Sequence, residues 1–136
     1  MKLIFQEEKT IAQDELDKLY SDVGWSAYTH DLPCLQNAVA RSLTVITARD
    51  STQLVGLIRV VGDGLTIIYI QDILVLRTYQ NQHIGTDLLQ RILEKYRSVR
   101  QKVLLTVEAP NTRRFYEKNN FTSCDNGVLV AFSQCS

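Results

Sequence analysis

At 136 residues the chain is long enough for one domain with a sizeable core, and 45% hydrophobic with 22% charged residues is the balance of a soluble globular protein. Lys plus Arg and Asp plus Glu both number 15, so there is no basic excess to favour a nucleic acid or an anionic membrane as partner. No apolar run approaches the ~20 residues of a membrane span, and the opening MKLIFQEEKT lacks the apolar centre of a signal peptide. Cys34, Cys124 and Cys135 are odd in number and form no CxxC pair. They read as reduced thiols of a cytoplasmic protein, with neither a disulfide framework nor a metal site.

Met1 to Gln6 alternates as a short first strand. Thr10 to Tyr20 carries Ile11, Leu16, Leu19 and Tyr20 at helical spacing, with acids early in the run. The loop from Val23 to Tyr28 holds the only tryptophan, Trp25. Asp31 suits an N-cap, with Pro33 in the first turn of a second short helix. The period then changes to that of strands: Leu43–Ala48, a polar loop over Arg49–Gln53, Leu54–Val61, a tight turn at Gly62-Asp63-Gly64, and a long strand through Val75. After a helix, Lys102–Val107 is another apolar strand, which a right-handed crossover would lay parallel to the long strand. Asn111 is expected to cap a helix over Thr112–Lys118. Phe121–Ser123 and Val128–Ser133 then read as a hairpin about Asp125-Asn126-Gly127.

The stretch Tyr69–Tyr96 organises the rest. Tyr69–Leu76 is a nearly unbroken apolar run, as in a strand covered on both faces. Ile84, Leu88, Leu89, Ile92, Leu93 and Tyr96 form one stripe of a helix. Between them lies the polar turn Gln80-Asn81-Gln82-His83, closing on Gly85-Thr86. The first N–H groups of a helix lack internal partners and carry partial positive charge, so this turn suits a phosphate, although a plain structural turn would look the same. It is neither a Walker A loop nor a dinucleotide fingerprint.

The element order and two motifs resemble the GNAT superfamily of N-acetyltransferases. The family's central motif follows an apolar strand as Arg/Gln-x-x-Gly-x-Gly/Ala; Gln80 and Gly85 match it, and His83 stands where a glycine is usual. Phe115-Tyr116-Glu117-Lys118-Asn119-Asn120-Phe121 is similar to the family's FYEKxGF, with Asn120 in the glycine's place. Asn is the residue best able to replace glycine at a left-handed helix end.

The resemblance implies a fold class of mixed α+β type: a single domain over residues 1–136, with a central sheet of six to seven strands flanked by four helices and splayed at its middle strands. It implies acetyl-CoA, hence coenzyme A, as co-substrate and no metal. The pyrophosphate would lie on Gln80, Asn81, Gln82, His83, Ile84, Gly85 and Thr86, bound mainly by backbone N–H groups. The pantetheine arm would add along Ile73, Leu74 and Val75 as a strand does. His83 is read as a turn residue whose backbone alone binds, or as an imidazolium paired with the phosphate. Tyr116 matches the family tyrosine near the CoA sulfur and would donate a proton to the leaving thiolate. Asp72, a carboxylate in an apolar strand, is the candidate base, or else an acceptor for neighbouring backbone N–H groups. Trp25 and Tyr28 would wall the pocket for a small-molecule or peptide amine. Family members place an asparagine seven residues before the tyrosine; here that residue is Ala109, and Asn111 would reach the cofactor only if the helix starts late. The rival function is a non-catalytic CoA-binding or regulatory module, and the apolar C-terminal strand leaves room for a homodimer.

Overall fold

The computed structural model describes residues 1–135. They fall into two compact units, Met1–Leu105 and a second that begins at Thr106. In the first, β1 (Leu3–Glu7), β2 (Thr44–Asp50), β3 (Gln53–Gly62), β4 (Ile67–Val75) and β5 (Gln101–Leu104) form one sheet in chain order. The first four strands pair antiparallel, and β5 lies parallel to β4 as the sequence suggests. Helices α1 (Gln13–Asp22), α2 (Ser26–Thr29) and α3 (Leu32–Ala40) come between β1 and β2, while α4 (Ile84–Lys95) connects β4 to β5. Asp31 caps α3 as expected, its carboxylate accepting the Cys34 N–H at 3.1 Å.

The β3–β4 turn is held by one side chain. Asp63 Oδ1 accepts the N–H groups of Leu65, Thr66 and Ile67 at 2.8, 2.8 and 3.1 Å. Its other oxygen accepts the Thr66 hydroxyl at 2.7 Å, and these bonds hold the carboxyl far below the usual carboxylate range. A second anchor ties β2 to β1 and α1: Arg49 pairs with Glu8 and with Glu15, each at 2.6 Å.

A bulge in β4 decides which way its side chains point. Arg59 pairs with Asp72 and Val60 with Ile70, so Gln71 is one residue too many on β4. Gly56 looks onto α4, where the Ile84 and Leu88 side chains approach to 3.4 Å of the place a Cβ would occupy. Ile58 and Val60 share that face by alternation, and Ile70 with them by register. Arg59 and Asp72 lie on the opposite face, where Tyr20 of α1 meets the carboxylate. The buried positions Ile68, Ile70, Asp72 and Leu74 therefore alternate evenly along the chain, yet the first pair packs toward α4 and the second toward α1. Leu16, Leu19, Leu35 and Val39 are fully or almost fully buried on the α1 and α3 stripes, as are Leu88, Leu89 and Ile92 on α4.

Several expectations are corrected. Among the described residues the sheet has five strands, not six to seven. Among the same residues five α-helices stand where four were expected, because Ser26–Thr29 closes a short helical turn inside the predicted loop. β4 is not covered on both faces: Ile67, Tyr69 and Ile73 are half-buried and Gln71 is exposed. In the second unit, α5 is Pro110–Lys118 with Ala109 at its N-cap. Asn111 is thus a residue of the first turn rather than the cap, because Pro110 has no N–H to lose and a φ suited to the first helical position. Its Oδ1 accepts from Arg114 instead. The C-terminal hairpin is absent among the described residues. Cys124–Asn126 is a 3-10 helical turn, fastened by Arg113 to Asp125 at 2.8 Å, and Gly127 sits at φ −144° rather than the positive φ a two-residue hairpin turn demands. Val128 and Phe132 are 99% and 91% exposed.

Gly62 adopts φ +133°, and a Cβ there would stand 2.5 Å from the Ile67 carbonyl oxygen. Gly62→Ala is expected to lower the unfolding free energy by about 1–3 kcal/mol, measured by urea denaturation.

Candidate cofactor and acceptor site

The turn leaving β4 is fixed at four points. The Leu76 N–H bonds the Val55 carbonyl at 2.8 Å, and the Arg77 N–H bonds Asp22 of α1 at 2.7 Å. The Tyr79 hydroxyl donates to Asp50 at 2.7 Å, and the Gln80 amide donates to the Val75 carbonyl at 3.1 Å. The last bond partners a carbonyl of the expected cofactor strand, so at Val75 the N–H is the group left for a ligand.

Beyond these anchors the backbone turns twice into the left-handed region without glycine: Asn81 and His83 both have φ +64°. Alternation of this kind points successive N–H groups into one concavity. Among the described residues, the N–H groups from Asn81 to Thr86 have no hydrogen-bond partner, and His83 is the N-cap of α4 with no side-chain cap. Six consecutive donors at the positive end of a helix make a place for a phosphate. The turn thus brings together Asn81, Gln82, His83, Ile84, Gly85 and Thr86. The Ile84 side chain is buried and serves the core, leaving only its N–H to the concavity.

The strand beside this turn is half open. β5 pairs with β4 only at Ile67–Ile70, and the ladder ends at Ile70 opposite Leu104. The β3 side remains paired up to Val75. Among the described residues no strand covers the other edge of Gln71–Val75, where Ile73 and Leu74 lie.

On the α1 face, Asp72 is 2% and Arg59 6% exposed. Arg59 Nε donates to Asp72 Oδ2 at 2.7 Å, the Tyr20 hydroxyl donates to the same oxygen at 2.8 Å, and the Tyr28 hydroxyl donates to Oδ1 at 2.9 Å. Asp72 does accept hydrogen bonds structurally, but from side chains and not from the neighbouring backbone. With three donors on its two oxygens, it has little capacity left to take a proton from a substrate. Burial and then the Asp72 charge raise the pKa of both Tyr20 and Tyr28. For Arg59, burial is the largest influence and pulls the pKa down, but the Asp72 charge and hydrogen bond, with Tyr20 and Tyr28, together leave it raised. Trp25 and Tyr28 do meet: their ring centroids are 6.1 Å apart, and Tyr20 touches both at 5.9 and 5.2 Å.

In the second unit, Tyr116 lies edge-on to Phe115 and Phe121, at 5.0 and 5.7 Å between centroids, and burial pushes its phenol up to about 12. It therefore holds its proton throughout the neutral range. Asn120 takes φ +68°, the left-handed helix end that its motif position implies. Arg59 and Tyr20 were not singled out from sequence. The signal for Arg59 was present: two opposite charges interrupt adjacent apolar strands around a tight turn, and pairing them needs only one bulge.

No group of three or more His, Cys, Asp or Glu among the described residues is arranged to hold a metal, and the three cysteines are free and exposed. No helix among those residues is long and apolar enough to cross a membrane.

A mixed sheet with a half-open fourth strand, leading into a turn of N–H groups unpartnered among the described residues at the head of a helix, defines an α+β fold with a phosphate-suited turn. The acetyltransferase (GNAT) family model matches residues 7–121, and the chain belongs to that family. Among solved structures it is similar to the GNAT-family acetyltransferase SP0256 of Streptococcus pneumoniae TIGR4, with TM-score 0.87 and 28% identity over 99% of this chain and 98% of that one. An aminoglycoside acetyltransferase from an uncultured soil metagenomic sample, in complex with sisomicin, shares the fold at TM-score 0.69 and 14% identity, covering 98% and 97%. AAC(6')-Iy in complex with a bisubstrate analogue of CoA and acetylneamine does so at 0.71 and 9%, covering 99% and 100%. Comparison with curated proteins returns no match.

Two substitutions separate these roles. A non-glycine residue in the left-handed region costs about 1–2 kcal/mol, against about 0.4–1 kcal/mol of extra unfolded-state entropy for glycine. His83→Gly should therefore gain up to about 1 kcal/mol in stability and keep CoA affinity within about threefold or improve it, by calorimetric titration. Asp72→Ala strands a buried guanidinium and should cost about 3–5 kcal/mol in thermal or urea unfolding, much of it recovered when Arg59→Met is added.

Proposed function

We propose that the protein is an acetyl-CoA-dependent N-acetyltransferase, transferring the acetyl group to a primary amine of a small molecule or peptide by direct attack in a ternary complex. One observation carries this reading: among the described residues, six consecutive N–H groups without a hydrogen-bond partner, Asn81 to Thr86, follow a strand whose last five residues have no paired strand on one edge. The concavity suits a diphosphate, and the edge suits an amide-bearing arm that adds as a strand would. The acetyl thioester, when bound, supplies the activated carbonyl. The Val75 N–H, the donor left on the open edge, then polarises its oxygen in a setting where no solvent must reorganise. Holding both reactants in place removes much of the entropic barrier.

Tyr116 is the proton donor in this scheme, because a phenol held protonated by burial suits delivery to a departing thiolate. Asp72 acts as a positioning residue for Tyr28 rather than as a base, since its oxygens are occupied by Arg59, Tyr20 and Tyr28. The amine reaches its neutral form through solvent. The solved relatives that hold sisomicin and a CoA bisubstrate analogue give precedent for such ternary chemistry on this fold.

Saturating acetyl-CoA should raise Tm by about 5–10 °C, since ligand at a hundred times Kd adds about 2.7 kcal/mol. An amine panel followed by thiol release should give turnover. Tyr116→Phe should lower kcat by about a hundredfold or more while the CoA-induced shift persists. Binding without turnover anywhere in the panel would instead favour the non-catalytic CoA-binding module.

A further inference from the structure

We infer that the acceptor subsite selects a monoamine with an apolar or aromatic body over a polycation, and that the Tyr28 hydroxyl is the group that makes the selection. The inference rests on the acetyl-transfer reading above and gives that site its substrate class.

A phenol oxygen has one proton to donate and two lone pairs to accept with. For Tyr28 the proton is committed to Asp72 Oδ1 at 2.9 Å. One lone pair is taken by the Gln71 amide, whose Nε2 donates at 2.8 Å. The proton has little freedom to rotate away, because the carboxylate holding it is 2% exposed and is itself fixed by Arg59 and Tyr20. What remains on a half-buried hydroxyl is a single outward acceptor. Gln71, the extra residue of the β4 bulge, is exposed. Its amide oxygen has no donor among the described residues, which makes a second acceptor beside the first. Both oxygens are acceptors, as an amine N–H requires, and the second Gln71 amide N–H is the donor that remains beside them. An amine that donates to Tyr28 keeps its own lone pair free for attack.

Charge and shape narrow the class further. The carboxylate at this wall, Asp72, is matched by Arg59 at 2.7 Å with both groups buried, so the pair offers no net charge to a second or third ammonium. The Trp25 and Tyr28 rings, tilted by 38°, supply apolar faces for the body of the molecule. A polycation would forgo solvation at each extra ammonium, and Asp72, already paired with Arg59, is no free carboxylate to repay it.

The test uses the full chain with acetyl-CoA and three acceptors: 2-phenylethylamine, spermidine and sisomicin. The monoamine should show kcat/KM at least about a hundredfold above either polycation. Tyr28→Phe should lower that value by about 10- to 100-fold, chiefly through KM, and leave the CoA-induced thermal shift unchanged. Gln71→Glu, a change at an exposed position, should raise the polycation rates about tenfold by adding an unmatched carboxylate. Preference of the native chain for spermidine or sisomicin, or a Tyr28→Phe variant that handles the monoamine as the native chain does, overturns the inference. Should no amine be acetylated, the acetyltransferase reading fails separately. The single tryptophan, Trp25, then still reports: quenching by the monoamine that Tyr28→Phe abolishes upholds the subsite, and quenching unchanged by it sinks it.

Discussion

Everything on the α1 side of the sheet is arranged around a charge that has been taken out of water. A carboxylate and a guanidinium buried together lose hydration worth several kcal/mol each, and only close pairing with further hydrogen bonds recovers it. Arg59 and Asp72 meet that condition through Tyr20 and Tyr28, whose hydroxyls complete the carboxylate's shell. The pair therefore fixes the position of α1 and of the short turn after it. It also fixes Tyr28 in a definite hydrogen-bonding sense. The bulge at Gln71 is what makes this possible: without the extra residue, Asp72 would turn toward α4, into a face filled by leucine and isoleucine.

The same strand serves a different purpose toward its far end. β4 is bonded on both edges where it begins and on one edge where it finishes. Its continuation into α4 is tethered by Asp22, Asp50 and Val55, elements far apart in sequence, so the run of free N–H groups sits in a preset shape. A site with its donors aligned before binding loses less entropy when an anion arrives. The left-handed angles at Asn81 and His83 are the local strain that this shape costs.

The sequence made the strand-turn-helix core legible because its periods are long and its turn residues unambiguous. The Gly62-Asp63-Gly64 turn, the Asp31 cap and the parallel β5 follow from local chemistry. Asp72 could be flagged as an expensive charge, but its partners lie on a helix 52 residues away and on a neighbouring strand whose register depends on a bulge. The opposite charges across the tight turn hint at the strand partner, but no local pattern encodes the helix contact. The predicted C-terminal hairpin failed for a related reason: Asp125-Asn126-Gly127 has hairpin composition, but Arg113 draws Asp125 into a helical turn. Asn111 was misplaced by one turn's logic, since the proline before it competes for the helix start and wins.

The open edge of β4 also bears on how the protein behaves in the tube. Among the described residues no strand pairs with this edge of Gln71–Val75, and the alternate main-chain groups that face it, on a mostly apolar segment, form a template onto which another chain can zip. In the catalytic state the coenzyme arm would occupy this edge and mask it. Stripped of that arm, the molecule offers adhesive backbone to its neighbours, so purification and storage in the presence of coenzyme should guard against slow self-association as well as preserve activity.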